Sequence, residues 1–270
     1  MEEPNFKVGT ADVALTEKLL PLPARGERGE GRGEGRLQPE RPSSPQPSPP
    51  SEGGDGAGSD SHIQAARGSA PAPTLIHRLV SITERLDLAG LFARPQPLEI
   101  EIGSGDGSFL AAYARLHPAR NFFGIERLLG RMRKLDRKGQ RGGLSNLRLL
   151  SIEAGYFLKY LAPDACATAL HVYFPDPWPK RKHRRHRLIN EEFPALARRL
   201  LAPGGVVYLR TDDADYFTQM QRVFAAAARE FQPVETPEEL RAVVTDFERT
   251  FTARGIATRR AAYQRVIRDS

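Results

Sequence analysis

Apolar runs of strand length alternate with helical patterns from residue 98 onward. Five such runs cover residues 98–102, 121–125, 147–152, 169–174 and 205–209. Between them, amphipathic spacing predicts helices over 108–116, 128–138, 156–161 and 188–201. Strands that alternate with helices indicate an α/β fold, so we expect a doubly wound, mostly parallel sheet.

The segments on either side of this core are less regular. Residues 75–86 have the spacing of a first helix, before Pro95 and Pro97 introduce the first strand. The run Pro203-Gly204-Gly205 predicts a turn into the fifth strand. Beyond that strand, 216–231 has a strong helical pattern, and 243–267 predicts either a further helix or a pair of strands.

The amino-terminal part of the chain has a different composition. Residues 21–60 contain eight prolines and nine glycines, but only four aliphatic side chains. Such a segment buries too little apolar surface to offset its conformational entropy. The sequence therefore predicts a low-complexity, disordered extension over 1–70 and one folded domain over 71–270.

Charge and cysteine content narrow the function classes. A formal net charge of +7 favours a polyanionic partner such as nucleic acid. The single cysteine, Cys166, excludes intrachain disulfides and a cysteine-built zinc site. No apolar stretch has the length of a membrane span, and no His, Asp or Glu spacing indicates a metal site. We expect a cytoplasmic protein without a metal or a membrane segment.

Acidic side chains end or follow five of the predicted strands. A single strand-ending acid is typical of a helix cap. However, the carboxyl ends of parallel strands meet at the same edge of a sheet, and ligands bind in the crevice outside them. The series therefore predicts one common site. Its members are Glu101, Glu126, Glu153, Asp176 and Asp212.

A glycine loop follows the first strand. Gly103 and Gly105 permit tight backbone angles and let a ligand approach the main chain, but the glycine spacing departs from the dinucleotide fingerprint. The preceding carboxylate, Glu101, suits a cationic cofactor. Glu126 follows the second strand, where an acid can bind ribose hydroxyls. S-adenosylmethionine combines a sulfonium with a ribose, and we expect it to be the cofactor.

A proline-rich loop leads directly into a dense group of cations at residues 174–187, which read FPDPWPKRKHRRHR. The three prolines exclude this segment from a central strand and from a helix interior. The cations from Lys180 to Arg187 suit a phosphate backbone. For Trp178, stacking on a base and plugging the top of the sheet are both open.

These motifs resemble the bacterial tRNA (guanine-N7-)-methyltransferases of the class I, Rossmann-like, S-adenosylmethionine-dependent fold. The resemblance extends over about residues 88–263, and its most specific part is the stretch from Phe174 to Lys180. Supporting matches are Glu101-Ile102-Gly103-Ser104-Gly105, Gly124-Ile125-Glu126, Leu144-Ser145-Asn146-Leu147, Pro203-Gly204-Gly205, Thr211-Asp212 and Thr245-Asp246-Phe247-Glu248.

The resemblance implies transfer of a methyl group to N7 of a tRNA guanosine, at position 46 of the variable loop. A carboxylate near the base would stabilise the positive charge that develops on the guanine; Asp176 and Asp212 are the two candidates, and Asp176 is the predicted catalytic residue. Glu153 stands where the family usually has aspartate, and the family's basic segment ahead of the first strand is not recognisable. The implied cofactor residues are Glu101, Gly103, Gly105, Glu126, Glu153 and Asp176. The implied substrate residues are Lys180, Asp212, Thr245, Phe247 and Glu248.

Two other functions are compatible with the same residues. One is a methyltransferase that acts on another RNA atom or on an exocyclic amine; the exocyclic-amine enzymes would use an Asn/Asp-Pro-Pro-aromatic loop, which Phe174 to Trp178 resembles loosely. A catalytically silent RNA-binding homologue would keep the cations but would not need the acid series and the glycine loop. The choice between monomer and homodimer, and the choice of tRNA, stay open.

Overall fold

The computed structural model describes residues 74–267, and they form one seven-stranded sheet in the order β3-β2-β1-β4-β5-β7-β6. Strands β1 to β5 run parallel, β7 is antiparallel to β5, and β6 is antiparallel to β7. The expected doubly wound, mostly parallel α/β sheet is confirmed. The predicted extension over 1–70 lies outside the described residues. The strands are β1 Leu98–Ile102, β2 Asn121–Ile125, β3 Leu147–Leu150, β4 Ala167–Tyr173, β5 Leu201–Thr211, β6 Phe231–Val234 and β7 Arg259–Arg265.

Helices connect the strands and cover both faces of the sheet. Both alternatives for 243–267 are present, since a helix and a strand share that segment. The helix predicted over 216–231 ends earlier, and Phe231 begins β6. The helices are α1 Leu110–Leu116, α2 Leu129–Arg141, α3 Ala154–Tyr156 with a π-helical continuation Phe157–Leu161, α4 Phe193–Leu200, α5 Ala214–Ala226, α6 Glu238–Ala242 and α7 Asp246–Thr252, with 3-10 helices at Ala89–Leu91 and Arg181–His186.

The helix predicted over 75–86 is wrong. The start of this segment pairs with β3, since Ile76 bridges Leu149 in parallel, and the rest continues through bends without forming a helix. The amide of His77 donates to the carbonyl of Leu149 at 2.7 Å, and the amide of Leu149 donates to the carbonyl of Leu75 at 3.0 Å. Strand β3 ends the sheet on this side. As an edge strand, β3 offers unpaired backbone groups. The amide of His77 and the carbonyl of Leu75 bond to these groups and are therefore not available for a helix.

The turn predicted at residues 203–205 is instead a bulge inside β5. In the register with β4, Ala167 faces Leu201 and Ala169 faces Val206. One residue of β4, Thr168, therefore lies opposite the four residues 202–205 of β5. Gly204 has φ of 77°, a conformation that favours glycine. The glycines let the extra residues loop out without interrupting the strand.

The hydrophobic core lies on both faces of the sheet. On one face, Ile100 and Ile102 of β1 pack in a large cluster with Phe123 and Leu170. On the other face, a smaller cluster surrounds Phe109 of the loop before α1. Alternate residues of a strand point to opposite faces, so Glu99 and Glu101 of β1 lie on the second face. Among residues 74–267, no helix is long and apolar enough to cross a membrane.

Candidate functional site

Two adjoining cavities lie at the point where the strand order reverses. Strand β1 lies between β2 and β4, so the loops that follow β1 and β4 leave the sheet in opposite directions and open a crevice. We call the cavity of about 330 Å³ next to α7 the α7-side cavity. The cavity of about 520 Å³ next to β2 is the β2-side cavity. Both are lined by Gly103, Arg131, Tyr173, Phe174, Pro175 and Asp176.

The structure brings the five strand-end acids to these two cavities. Glu101 and Asp212 line the α7-side cavity, Glu126 and Glu153 line the β2-side cavity, and Asp176 lines both. Of the other predicted site residues, four also line the cavities, namely Gly103, Gly105, Thr245 and Phe247. Lys180 and Glu248 line neither of them.

Glu101 is a buried carboxyl group with an unused oxygen. Its residue is 3% exposed, and its Oε2 atom has no hydrogen-bond partner. Burial raises the pKa of Glu101 to about 8, although the charge of Arg210 acts in the opposite direction. A buried polar atom without a partner calls for a ligand or another explanation. The residue lines a cavity, so Glu101 is suited to accept from a bound group there.

The glycine loop leaves space above the backbone. Gly103 has φ of 77° and Gly105 has φ of 55°, and side chains other than glycine rarely adopt such angles. A Cβ atom at Gly103 would meet no heavy atom within 4 Å, so it would project into the cavity. The amides of Gly103 and Ser104 both donate to the carbonyl of Ile125, at 2.8 and 2.9 Å. These bonds hold the loop open for a ligand close to the main chain.

Glu126 joins the glycine loop to the start of α2. Its Oε2 atom accepts from the amide of Gly105 at 3.0 Å, and its Oε1 atom accepts from the amide of Leu128 at 2.7 Å. An ionised carboxylate has about four acceptor positions. Glu126 can therefore hold both loops and still accept from hydroxyl groups of a ligand.

Glu153 caps α3. Its two carboxylate oxygens accept from the amides of Gly155 and Tyr156, at 2.8 and 2.6 Å. This is the ordinary role of an acid at a helix start, although the longer glutamate side chain is less common there than aspartate. Both oxygens are engaged by the helix, so any contact with a ligand would have to use their remaining lone pairs.

The loop after β4 is shaped and anchored from behind. Arg187 is only 2% exposed and donates to the carbonyl of Pro177 at 2.7 Å. It also donates to Gln219 at 2.8 Å and to Asp215 at 2.6 Å, and it stacks over the ring of Tyr216. The prediction that Arg187 contacts phosphate is therefore wrong. The available signal was its position just before the apolar Leu188-Ile189, where the chain returns to the core.

Of the remaining cations of the loop, one forms an ion pair and the others are exposed without one among the described residues. Arg184 pairs with Asp215 at 3.2 Å. Lys180, Arg181, Lys182 and Arg185 are exposed. Trp178 lines the β2-side cavity, and its ring lies 5.2 Å from that of His186.

Helix α7 supplies an aromatic wall to the α7-side cavity. The rings of Phe174 and Phe247 lie 6.0 Å apart, and those of Phe174 and Phe251 lie 5.7 Å apart. Phe247 is 46% exposed and lines this cavity. Phe251 was not among the predicted site residues, although its spacing of four residues from Phe247 places both on one face of a helix.

Thr245 and Glu248 fix the start of α7. The hydroxyl of Thr245 accepts from the amide of Glu248, and Glu248 accepts from the amide of Thr245, both at 3.0 Å. Glu248 is buried and also accepts from Arg210 of β5 at 2.8 Å and from Arg260 of β7. The structure therefore places Glu248 under the helix, where it ties α7 to two strands.

Within residues 74–267, no hydrogen bond or ion pair engages the carboxylate of Asp212. Its backbone carbonyl accepts from Arg259 at 3.0 Å, while the neighbouring Asp213 caps α5 by accepting from the amide of Tyr216 at 2.7 Å. Among the described residues there is no group of three or more metal-ligating side chains.

The chain is similar to known methyltransferases in sequence. The sequence model of a family described as "Putative methyltransferase" matches residues 95–261. The structure of the 16S rRNA methyltransferase KamB aligns with a TM-score of 0.47 at 18% identity, over 64% of this chain and 89% of that one. The sheet order and the family match place the chain among the methyltransferases of doubly wound α/β architecture.

Curated relatives specify the family. The tRNA (guanine-N(7)-)-methyltransferase of Nocardioides sp. is 41% identical over 181 residues, which are 66% of this chain and 71% of that protein. The enzyme of the same name from Sodalis glossinidius is 40% identical over 143 residues, or 53% of this chain. Here the matched region spans 60% of the relative's length. The chain belongs to the tRNA (guanine-N(7)-)-methyltransferase family, as its motifs indicated.

Proposed function

We propose that this protein transfers a methyl group from S-adenosylmethionine to N7 of a guanosine in tRNA. The observation that carries the proposal is the pair of cavities joined at Asp176. The β2-side cavity contains carboxylates suited to accept from ribose hydroxyls, and the α7-side cavity has an aromatic wall. The names of the curated relatives support the substrate and the methylated atom. Bacterial tRNA lies in the cytoplasm, and we propose that the protein acts there.

The residues present fit the cofactor. Glu101 offers a buried, unpartnered carboxyl oxygen, and a cationic group beside it would favour the ionised form of this acid. The space above Gly103 and Gly105 accommodates a ligand close to the backbone. We propose that Glu101, Glu126 and the two glycines hold the cofactor, and that Glu153 contacts it while capping α3. When bound, S-adenosylmethionine supplies an electrophilic methyl group on a positively charged sulfur.

The chain acts mainly by positioning. N7 of guanine carries a lone pair, so no side chain has to remove a proton first. Holding two reacting groups in line can contribute roughly 7 to 11 kcal/mol in well-aligned cases. The loop after β4 is suited to this role, because Arg187 anchors it from behind and three prolines restrict its backbone. Phe247 is suited to stack on the target base.

Charge stabilisation falls to a carboxylate. The guanine gains positive charge as it is methylated, and a fixed anion nearby lowers the free energy of that state. Asp176 lies at the junction of both cavities, which supports it as the catalytic residue. Asp212 lines one cavity and is the other candidate. In contrast, Thr245 and Glu248 are positioning residues, because their hydrogen bonds hold α7.

The exposed cations beside the loop are suited to the RNA backbone. We propose that Lys180, Arg181, Lys182 and Arg185 contact phosphates near the variable loop, which carries guanosine 46. These side chains are exposed. Among the described residues they form no ion pair with a carboxylate.

The test is methyl transfer to an unmodified tRNA transcript. The purified protein is incubated with labelled S-adenosylmethionine and the transcript, and the RNA is cleaved by chemistry specific for N7-methylguanosine. We expect strand scission in the variable loop. Asp176→Ala should lower turnover on the order of 100-fold, the magnitude for loss of one stabilising group. The matched control is Glu84→Ala, an exposed acid outside both cavities.

Two outcomes would contradict the proposal. Label transferred without scission would assign the enzyme to another RNA atom. Absence of transfer despite measurable cofactor binding would identify a catalytically silent RNA-binding homologue.

A further inference from the structure

Helix α2 presents a continuous cationic surface that the proposed function has not used. We define the α2 basic face as the seven basic side chains between residues 127 and 141. All except Lys138 are exposed. The only acid in this stretch, Asp136, is buried and accepts from the amide of Leu75 at 2.8 Å and from Gln140 at 2.8 Å. The face consists of Arg127, Arg131, Arg133, Lys134, Arg137, Lys138 and Arg141.

The orientation of α2 is fixed by its buried side. Met132, Leu135 and Gly139 are buried. A Cβ atom at Gly139 would lie 2.4 Å from Leu75, so this side of the helix packs too closely against the segment that pairs with β3 to rotate. At 100° per residue, the six basic side chains within α2 lie on the remaining sides of the helix, and Arg127 precedes the helix. The cations are therefore held outward by the packing.

The cationic side chains of this face have few intramolecular partners. Lys138 pairs with Asp106 at 3.1 Å. Within residues 74–267, the other six form no ion pair. Arg137 lies four residues from both Arg133 and Arg141, and like charges at this spacing destabilise a helix by a few tenths of a kcal/mol per pair. A surface of this kind is most favourable when a polyanion neutralises it.

The α2 basic face begins at the site itself. Arg127 lines the β2-side cavity, and Arg131 lines both cavities. From there the helix extends about 20 Å, given a rise of 1.5 Å per residue. The same β2-side cavity is also lined by Trp178 and His186 of the loop after β4, which bears the other exposed cations. The cavities therefore have cations on both the α2 side and the loop side.

We propose that the α2 basic face is a second RNA-contact surface, which binds phosphates of the backbone flanking the target nucleotide. This inference rests on the proposed function, and it assigns α2 as the element that holds one flank of the tRNA. The loop after β4 would hold the other flank. Both surfaces meet the RNA at the opening where the base enters.

The test compares two double variants that remove the same charge. Arg133→Gln with Arg137→Gln alters the α2 basic face without touching residues that line the cavities. The matched control is Arg94→Gln with Arg115→Gln. Arg94 precedes β1 and Arg115 lies in the last turn of α1, so both exposed side chains lie near the amino ends of the strands and line neither cavity. Each double variant lowers the net charge from +7 to +5, since 7 − 2 = 5.

Binding of fluorescently labelled tRNA is measured by anisotropy over a range of salt concentrations. The logarithm of the association constant falls as the logarithm of the salt concentration rises. We expect the α2 double variant to make this slope shallower by about 2, or about 1 per lost phosphate contact. Its Kd at moderate salt should rise at least tenfold. Its affinity for S-adenosylmethionine and its kcat at saturating tRNA should stay those of the wild type. The control should retain the wild-type slope.

Equal slopes and Kd values for the two double variants would overturn the proposal, because they would show that the α2 basic face is a solvated charged surface without RNA contacts. This result is distinguishable from failure of the proposed function, which would appear as absence of N7 methylation by the wild type. A wild-type protein that binds no tRNA would contradict both. Circular dichroism at 222 nm checks that each variant keeps its helices.

Discussion

Two glutamates of the same strand show how strongly an environment controls a carboxyl group. Glu99 and Glu101 lie two residues apart on one face of β1, and both are buried. Burial opposes ionisation of Glu99, but a hydrogen bond and the charge of His171, together with Arg120, lower its pKa. Glu101 has an unpartnered oxygen, and burial raises its pKa to about 8. The free carboxyl group is the one that faces a cavity.

Glu101→Gln should change the pH dependence of stability. The folded protein retains the Glu101 proton up to about pH 8, whereas the unfolded chain releases it near the ordinary pKa of 4.5. The unfolded state therefore binds fewer protons in this window, and Glu101 makes stability fall as pH rises from about 4.5 to about 8. Glutamine does not ionise. We expect the free energy of unfolding of the variant, relative to wild type, to increase from pH 5 to pH 8.

Urea denaturation at pH 5, 6.5 and 8 measures this difference, with the exposed Glu84→Gln as the control. A difference between Glu101→Gln and wild type that stays constant over the three pH values would contradict the assignment of a raised pKa.

At single residues, the sequence predicted where a side chain lies better than whether its carboxylate is free or engaged by a partner. It predicted that five acids meet, because strand ends of a parallel sheet share an edge. Whether each carboxylate is available depends on partners far along the chain. Glu248 is engaged by Arg210, 38 residues away, and only the fold brings them together. Glu153, in contrast, is engaged by the two amides next to it, a role that sequence spacing does suggest.

For the elements, the strands were more predictable than the helices. Strands β1 and β2 match the predicted residues because short, fully buried apolar runs have few other solutions. Helix α4 begins at Phe193, five residues after the predicted start. The intervening residues have tertiary partners, since the amide of Ile189 donates to the hydroxyl of Tyr216 at 2.9 Å. Helix boundaries that depend on such contacts cannot be found from periodicity.

The cationic segment around the 3-10 helix gives a prediction that separates two neighbouring arginines. Arg187→Ala removes a buried guanidinium and leaves the carbonyl of Pro177, Gln219 and Asp215 without it. We expect the free energy of unfolding to fall by about 3 kcal/mol, as for loss of a buried charged hydrogen-bond network. The exposed Arg185→Ala should change it by less than about 0.5 kcal/mol.

Chemical denaturation measures both stabilities, and the salt dependence of tRNA binding gives a second readout. Arg185→Ala should make the dependence of tRNA binding on salt shallower by about 1 in the log–log slope, as for loss of one phosphate contact. Equal losses of stability in the two variants would contradict the buried role of Arg187.

At the scale of the whole molecule, the boundary of the folded domain is testable. The described part of the chain, 74–267, contains two extensive hydrophobic clusters. Thr74 and Leu75 also bind Asp136 of α2, so a chain that starts at Pro71 keeps these contacts. We expect residues 71–270 to retain the Tm and the cofactor affinity of the full chain. Differential scanning calorimetry and titration calorimetry measure the two. A large fall in either would show that residues 1–70 belong to the folded unit.

The loop after β4 has a consequence for the thermodynamics of binding. Phe174 and Trp178 hold positive φ angles of 51° and 45° without being glycines, and three prolines restrict the residues around them. Such conformations cost on the order of 1 to 3 kcal/mol each and persist because the rest of the fold holds them. The loop is therefore ordered when the protein folds, before any ligand arrives. Under the proposed function, binding of RNA to this loop should show the heat capacity change expected when two rigid surfaces dock. It should not show the large entropic penalty of coupled folding and binding.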